Sequence, residues 1–323
     1  MPDDTDIALE TRRLGKRYGR TWALNECSLT LPTGRMAALV GPNGAGKTTL
    51  LHLAIGLLKP TAGDVRVFGH EPWAQPLAVL PRVGFVAQDH PLYRGFTVAD
   101  TLTFGQRMNQ RWDGALAEAR LRRLGIPLGQ RVGKLSGGQQ AQVALAMALA
   151  KRPTVLLLDE PVASLDPLAR RDFLRTLVES AREHGITTLL SSHIIADLEQ
   201  SCDYLIILAA SHVQLCGDIS AIQQSHRLLV GPRGDDAGLA NLRATRDVLG
   251  ENLTPQGVAL LVRLSAPVPP VDGAPLTSLP PGWRSEDAPL EEVVLAYLGQ
   301  PTARATDPSA EPSGQQRQME ATR

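Results

Sequence analysis

The chain has 323 residues, 43% of them hydrophobic and 20% charged, with Lys+Arg and Asp+Glu balanced at 33 each. That length and composition suit a folded globular chain with an ample core, and the zero formal charge argues against a dedicated nucleic-acid binder, which carries a basic excess. No apolar run approaches the ~18–20 residues that a membrane-spanning helix needs, and the acidic residues 1–6 lack a signal region, so neither a transmembrane helix nor secretion is expected. Cys27, Cys202 and Cys216 are scattered without metal-ligand spacing, which suggests a reducing compartment and a packing role.

In chain order, strand-like runs open at 7–14 and 23–31, followed by a compact apolar strand at 36–40. A Gly-rich turn leads into a helix from Lys47 to about Leu58, and Lys59-Pro60-Thr61-Ala62-Gly63 reads as a turn. Short strands are predicted at 65–68 and 83–86. From Thr97 the pattern is helical, with breaks, to about Ala150. Thr97-Val98-Ala99-Asp100 fits a helix start, where the threonine hydroxyl accepts from an orphan backbone N–H. The apolar run 155–158 fits a strand buried on both faces. Over 168–184, Phe173, Leu174, Leu177, Val178 and Ala181 share one helical face, and Gly185 suits the C-terminus of that helix. Strands follow at 188–191 and 204–209. Strands alternating with helices predict an α/β domain with a mainly parallel sheet over 1–225. Beyond it prolines gather (Pro267, Pro269, Pro270, Pro275, Pro280, Pro281), yet the apolar runs 258–264 and 290–298 predict a small C-terminal accessory domain over 226–300. The polar segment 301–323 is expected to be disordered.

Gly41-Pro42-Asn43-Gly44-Ala45-Gly46-Lys47-Thr48-Thr49 matches G-x-x-x-x-G-K-[ST] between a strand and a helix. Glycines let consecutive N–H groups converge on one anion. Lys47 supplies a mobile positive charge for the β- and γ-phosphates, and the Thr48 hydroxyl is a ligand for Mg²⁺. The helix opening at Lys47 adds its positive end. Further on, Val155-Leu156-Leu157-Leu158-Asp159-Glu160 sets two carboxylates at the carboxyl end of a buried strand, where ligands bind in open α/β sheets. Asp159 suits the Mg²⁺ shell, and Glu160 is placed to orient or deprotonate an attacking water.

Between these motifs lies Leu135-Ser136-Gly137-Gly138-Gln139-Gln140, which resembles the signature motif of ATP-binding cassette proteins. Other segments follow in that family's order. Gln88 resembles the Q-loop glutamine, and Ser164-Leu165-Asp166 resembles the D-loop. His193, in Ser191-Ser192-His193, resembles the switch histidine. Tyr18, in Lys16-Arg17-Tyr18-Gly19, resembles the aromatic that stacks on adenine. Each has a plainer alternative that carries less weight: Tyr18 as a strand aromatic, Gln88 as a solvated loop amide and His193 as a satisfied core imidazole.

The resemblance covers roughly 7–225 and implies a P-loop NTPase cassette with a mainly parallel core sheet, an antiparallel β subdomain and a helical subdomain. It implies an ATPase that uses ATP and Mg²⁺, with Glu160, His193, Gln88 and Lys47 catalytic and Thr48, Gln88 and Asp159 around the metal. It further implies a head-to-tail dimer of ATPase subunits, most simply two identical copies, with two ATP molecules at the interface. Each ATP would sit on Gly41–Thr49 of one subunit, with Tyr18 at the base, and face Ser136, Gly137, Gly138 and Gln139 of the other. Asp166 is implied at the same junction. Many relatives carry Arg where this chain has Gln140, Gln142 and Met147, and Thr where Val162 stands. These departures remove charge along the signature helix and spare the phosphate-reading positions.

The expected partner is a separate transmembrane permease, which places the chain peripherally on the cytoplasmic face of the membrane. No nucleic acid is expected. The loop around Leu92, Tyr93 and Phe96 is implied to receive a short helix of that permease. Export is the favoured direction, because the extension ending Pro289-Leu290-Glu291-Glu292-Val293-Val294-Leu295-Ala296-Tyr297-Leu298-Gly299 resembles the ends of bacterial drug- and lipid-efflux ATPases. Two other readings stand beside this one. A soluble cassette ATPase acting on ribosomes or DNA is opposed by the single cassette and by the absence of coiled-coil or zinc insertions. A nucleotide sensor that does not hydrolyse is opposed by Glu160 and His193.

Overall fold

The computed structural model describes residues 6–163, 165–192, 194–254, 257–264 and 279–299. Ser164, His193, Pro267, Pro269, Pro270, Pro275 and the segment 301–323, all singled out above, lie outside the described residues. Strands β1 (Ile7–Tyr18) and β2 (Thr21–Pro32) are longer than their apolar runs and pair antiparallel around Gly19, which takes a left-handed φ of 59°. After β3 (Met36–Val40) and α1 (Lys47–Ala54), β4 (Ala62–Val67) adds to the other edge of β1 and completes a three-stranded antiparallel layer.

The chain then runs through α2 (Pro76–Val79), β5 (Val83–Val86), α3 (Val98–Met108), α4 (Gly114–Arg123), α5 (Gly137–Ala150), β6 (Val155–Leu158), α6 (Pro167–His184), β7 (Thr187–Ser192), α7 (Ile195–Glu199), β8 (Tyr204–Ala209), β9 (His212–Asp218) and α8 (Ile219–Gln224). The central sheet has the order β5-β6-β7-β3-β8-β9 and is parallel except for the β8–β9 hairpin. Strands β3 and β6 at its centre are apolar and buried at every position because both faces are covered. On β3, Ala37 and Leu39 join Leu50 and Leu53 of α1 and the inner face of the antiparallel layer. Met36, Ala38 and Val40 turn the other way, toward Leu145 and Leu149 of α5 and Phe173 and Leu177 of α6. Strand β6 divides likewise, Val155 and Leu157 to one side, Leu156 and Leu158 to the other. The predicted face of α6 is the buried one, and Gly185 ends that helix at a φ of 62°.

Helices α3, α4 and the middle of α5 enclose a separate core of Val98, Leu102, Leu121, Val143 and Ala146. The predicted start of α3 is a reciprocal cap, with Thr97 Oγ1 accepting from the Asp100 N–H at 3.0 Å and the Asp100 carboxylate accepting from the Thr97 N–H at 2.9 Å. Three of the departures from the family pattern are packed positions: Met147 contacts this core, Val162 is buried in the main core and Gln142 is buried on α5, while Gln140 is half-buried and donates from Nε2 to the Leu135 carbonyl at 3.0 Å.

Strands β10 (His226–Gly231), β11 (Asp247–Thr254), β12 (Gly257–Arg263) and β13 (Arg284–Asp287) form a second antiparallel sheet in the order β11-β12-β10-β13. One face covers Leu229, Leu260, Val262 and Trp283 together with Leu242 of α9 (Asp236–Thr245). The other sends Leu261 toward α10 (Leu290–Gly299), whose Leu290, Val293, Val294 and Tyr297 join the same core as Leu205 and Ile207 of β8. Buried His226 links these parts, with Nδ1 2.7 Å from the Ile222 carbonyl and Nε2 3.1 Å from the Tyr297 hydroxyl. Burial holds its pKa below the usual imidazole range. Burial also pushes the Cys27 thiol up to about 11 and the Cys202 thiol up to about 12, as their packing role requires.

Phe173 is fully buried between α6 and the central sheet, so Phe173→Ala is expected to cost roughly 3–5 kcal/mol. Urea unfolding would register this as a lower midpoint at an unchanged slope.

Candidate functional site

The Gly-rich loop leaves the carboxyl end of β3 and closes on α1. Its backbone is forced by close approach at two places. A Cβ on Gly41 would lie 2.2 Å from the Leu208 carbonyl oxygen of β8. Gly46 has a φ of 106°, and a Cβ there would lie 2.4 Å from the Ala23 carbonyl oxygen. Gly46 is also the N-cap of α1 and brings no side-chain acceptor to it. The N–H groups of Lys47, Thr48 and Thr49 are therefore without intrahelical partners, at the positive end of the helix.

Lys47 is 5% exposed along its side chain, and its ammonium donates to the Gly41 carbonyl at 2.8 Å and the Pro42 carbonyl at 3.3 Å. It also lies 3.1 Å from Glu160 Oε1. Glu160 is the first residue past Asp159 at the end of β6, and its φ of 42° is costly for a residue with a side chain. Ser191, at the end of β7, holds this turn. Its Oγ accepts from the Glu160 N–H at 2.8 Å and donates to Asp159 Oδ1 at 3.0 Å. The β6–β7 register, which pairs Leu158 with Leu190, sets Ser191 beside Asp159. Sequence reasoning gave Ser191 no role, although it stands in the quoted Ser191-Ser192-His193 segment. Its signal was a hydroxyl directly after the apolar pair Leu189-Leu190 at the carboxyl end of a strand.

Ala23, Asn43, Gly44, Gly46, Lys47, Thr48, Thr49, Gln88, Glu160 and Ala163 line one recess of about 580 Å³. The sequence-predicted residues of the loop, Gln88 and Glu160 are thus brought together, with Asp159 buried directly behind. Gly41 and Ala45 are buried in the loop, and Pro42 is exposed. The donor set fits a magnesium-bound nucleoside triphosphate. Orphan N–H groups and an ammonium face the phosphate end, and a hydroxyl, an amide and a carboxylate (Thr48, Gln88 and Asp159) are hard oxygen ligands.

Ser136, Gly137, Gly138 and Gln139 are not among the residues that line this recess. Ser136 caps α5, its Oγ accepting from the Gln139 N–H at 3.2 Å while Gln139 Oε1 accepts from the Ser136 N–H at 3.0 Å. The Asp166 carboxylate caps α6 by accepting from the Leu168 and Ala169 N–H groups at 3.1 and 3.0 Å. These two helix starts abut, since a Cβ on Gly138 would lie 3.0 Å from Ala169 Cβ. Tyr18 is half-exposed at the end of β1, with Lys16 Nζ 5.4 Å from its ring centre, and it lies outside the recess. Exposed Tyr93, Phe96 and Phe104 form an aromatic cluster, with Tyr93 centred 5.1 Å from Phe96 and 5.7 Å from Phe104.

A glycine loop, a buried lysine and an acidic strand end at the carboxyl edge of a parallel sheet define a P-loop nucleotide-binding protein. The family model described as ABC transporter matches residues 24–163. The sulfate/thiosulfate import ATP-binding protein CysA of Shigella flexneri is 35% identical over 218 residues, 64% of this chain and 59% of that protein. CysA of Escherichia coli K12 is matched to the same extent. The chain thus spans about 59% of the length of these curated relatives. Among solved structures, cbiO1 from Clostridium perfringens, part of the ABC transporter complex cbiONQ, is 30% identical with a TM-score of 0.58, covering 66% of this chain and 89% of that one. An ATP-binding subunit of an ABC transporter is 29% identical with a TM-score of 0.60, covering 67% and 92%. The chain belongs to the family of ABC transporter ATP-binding subunits.

Ser191→Ala would leave the Asp159 carboxylate and the Glu160 N–H each short of a partner in a buried setting. The expected loss is roughly 1–3 kcal/mol of stability. Thermal melting of the purified variant measures it.

Proposed function

We propose that this chain is the ATP-hydrolysing subunit of an ABC transporter, peripheral on the cytoplasmic face of the membrane, energising solute transport through a separate permease. The observation that carries this reading is the convergence of Lys47, Thr48, Gln88 and Glu160 on one recess. Family membership supports it, and no helix among the described residues is long and apolar enough to cross a membrane.

In this reading the N–H groups of Gly44–Thr49 and the Lys47 ammonium bind the β- and γ-phosphates. Magnesium, held by Thr48, Asp159 and Gln88, would neutralise phosphate charge. Glu160 accepts the proton of a water whose oxygen bonds to the γ-phosphorus as the bond to the bridging oxygen of ADP breaks. When the triphosphate enters, its γ-oxygens compete with Glu160 for Lys47 and free the carboxylate for the water. His193 is assigned to the γ-phosphate and Tyr18 to the adenine, both from the family resemblance. Ser136–Gln139 and Asp166 act across a dimer of two copies. Their position outside the recess of their own chain suits that assignment, as do the N–H groups at the start of α5. Residues 1–225 are read as the ATPase unit and 226–300 as an accessory unit.

The relatives named as import proteins give no support to the expectation of export, which rests on the segment 289–299 alone. Their likeness lies within the cassette, so the proposal is transport without a stated direction. Action on nucleic acid is disfavoured by the balanced charge. A sensor that does not hydrolyse is disfavoured by Glu160 in contact with Lys47.

Glu160→Gln is expected to lower ATP hydrolysis by at least ~10²-fold while ATP binding survives. The variant should run as a dimer in Mg-ATP and as a monomer without it in size-exclusion chromatography with light scattering. A wild-type chain that binds ATP without hydrolysing it would favour the sensor. Affinity purification from detergent-solubilised membranes is expected to recover a polytopic membrane protein. Recovery of ribosomes or DNA in its place would overturn the transporter reading.

A further inference from the structure

A second recess, of about 510 Å³, opens where α4, the end of α5 and the second half of α6 meet. Pro153 and Ile186 border it just ahead of β6 and β7, so it stands at the opposite end of these strands from the nucleotide recess and shares no lining residue with it. Leu116, Leu124, Leu149 and Ile186 give it apolar walls, and Arg120 of α4 brings a guanidinium to them. Nη1 of that group donates to Ser180 Oγ of α6 at 2.7 Å. Nε and Nη2 are buried without a hydrogen-bond partner. Burial pulls the Arg120 pKa down to about 10, so the group stays charged at neutral pH. Two other arginines of the recess are engaged, Arg152 with Asp113 and Arg175 with Asp172. Its acids, Glu179 and Glu183, are exposed, and water and salt screen their charge.

We propose that this second recess binds a small organic anion, a carboxylate carried on an apolar body, with Arg120 as its anchor. In a guanidinium the Nε–H and one N–H of Nη2 point the same way, and that edge matches the two oxygens of a carboxylate. The two unpaired nitrogens of Arg120 are the two of that edge. Fastening α4 to α6 through Ser180 takes a single donor, which lysine or glutamine would supply, and leaves the edge unexplained. A buried donor without a partner is costly, and arginine does not escape the cost by shedding its proton. The apolar walls select the rest of the ligand, since an inorganic anion gains nothing from four aliphatic side chains. Because the edge is covered, binding requires the long stem of Arg120 to turn toward the recess that it lines. Helices α5 and α6 begin side by side near Gly138 and Ala169, and both run to this recess. A ligand there would join the far ends of the two helices whose starts are assigned above to the dimer.

The test titrates the full chain, without nucleotide, with benzoate and hexanoate, with their neutral counterparts benzamide and hexanamide, and with inorganic phosphate, read by ligand-observed NMR. At least one acid is expected to saturate, to bind about 10-fold or more tightly than its amide, and to slow amide hydrogen exchange over 116–124 and 176–186. Arg120→Leu removes the charge and keeps an apolar side chain. It is expected to melt no lower than the wild type and to weaken binding of the acid by about 10-fold or more. The absence of saturable binding by either acid would overturn the proposal. So would equal binding of acid and amide, equal binding of inorganic phosphate, protection confined to 41–49, or undiminished binding to Arg120→Leu. Should Arg120→Leu fail to fold, Arg120→Lys decides, since it keeps a charge and a donor for Ser180 but loses the paired edge: weaker binding of the acid supports the proposal, and equal binding overturns it. None of these readouts uses hydrolysis, so the functional reading above can fail without deciding them.

Discussion

A lysine ammonium and a glutamate carboxylate lie 3.1 Å apart at the floor of the recess, both largely shut off from solvent. Such a pair loses much hydration and is tolerable only when its remaining hydrogen-bonding capacity is met. Lys47 meets its share through the carbonyls of Gly41 and Pro42, which requires the loop to fold back over its own helix. That course exists because Gly41 lies against β8 and Gly46 against Ala23, where a methyl group has no room. On the other side, the turn at Glu160 depends on Ser191, so the end of β7 is as necessary to the pair as the loop itself. The sheet order brings β6, β7 and β3 into succession and sets all these groups at one edge.

The same order explains why the central strands carry no polar alternation. Helices α5 and α6 cover one face, and α1 with the antiparallel layer covers the other, so each strand divides its side chains between two cores. The polar groups of the recess, Asp159 and Glu160 after β6 and Ser191 near the end of β7, stand at the carboxyl ends. The charge missing from the signature helix fits this picture. Met147 lies against the helical core, and Gln142 is buried where an arginine would need a partner.

Much of this was legible in the sequence, for reasons specific to particular segments. The strand at Val155–Leu158 was found to the residue, because a short apolar run ending in two carboxylates has few other readings. The caps at Thr97 and Gly185 were readable because each depends on residues close in sequence. The loop, Gln88 and Glu160 were named in advance and share a recess. What escaped were features made by register and distance. Ser191 acquires its role only when β6 and β7 pair. The strands of the second sheet were missed individually because β11 and β13 lack a regular alternation and the neighbouring prolines mask them. Asp166 was read as a group at the nucleotide junction, and within one chain it is a helix cap.

Helix α10 returns from the second sheet to fill the core beneath β8. A boundary near Ser225 therefore marks a change of sheet and not a line along which the chain can be cut. Removing the last residues would bare Leu205, Ile207 and Leu215 to water, so a truncated cassette would be a sticky protein whatever its loop could bind. Exchange of cassettes between relatives faces the same restriction, because a graft made at that boundary carries the interface of one protein and the helix of another.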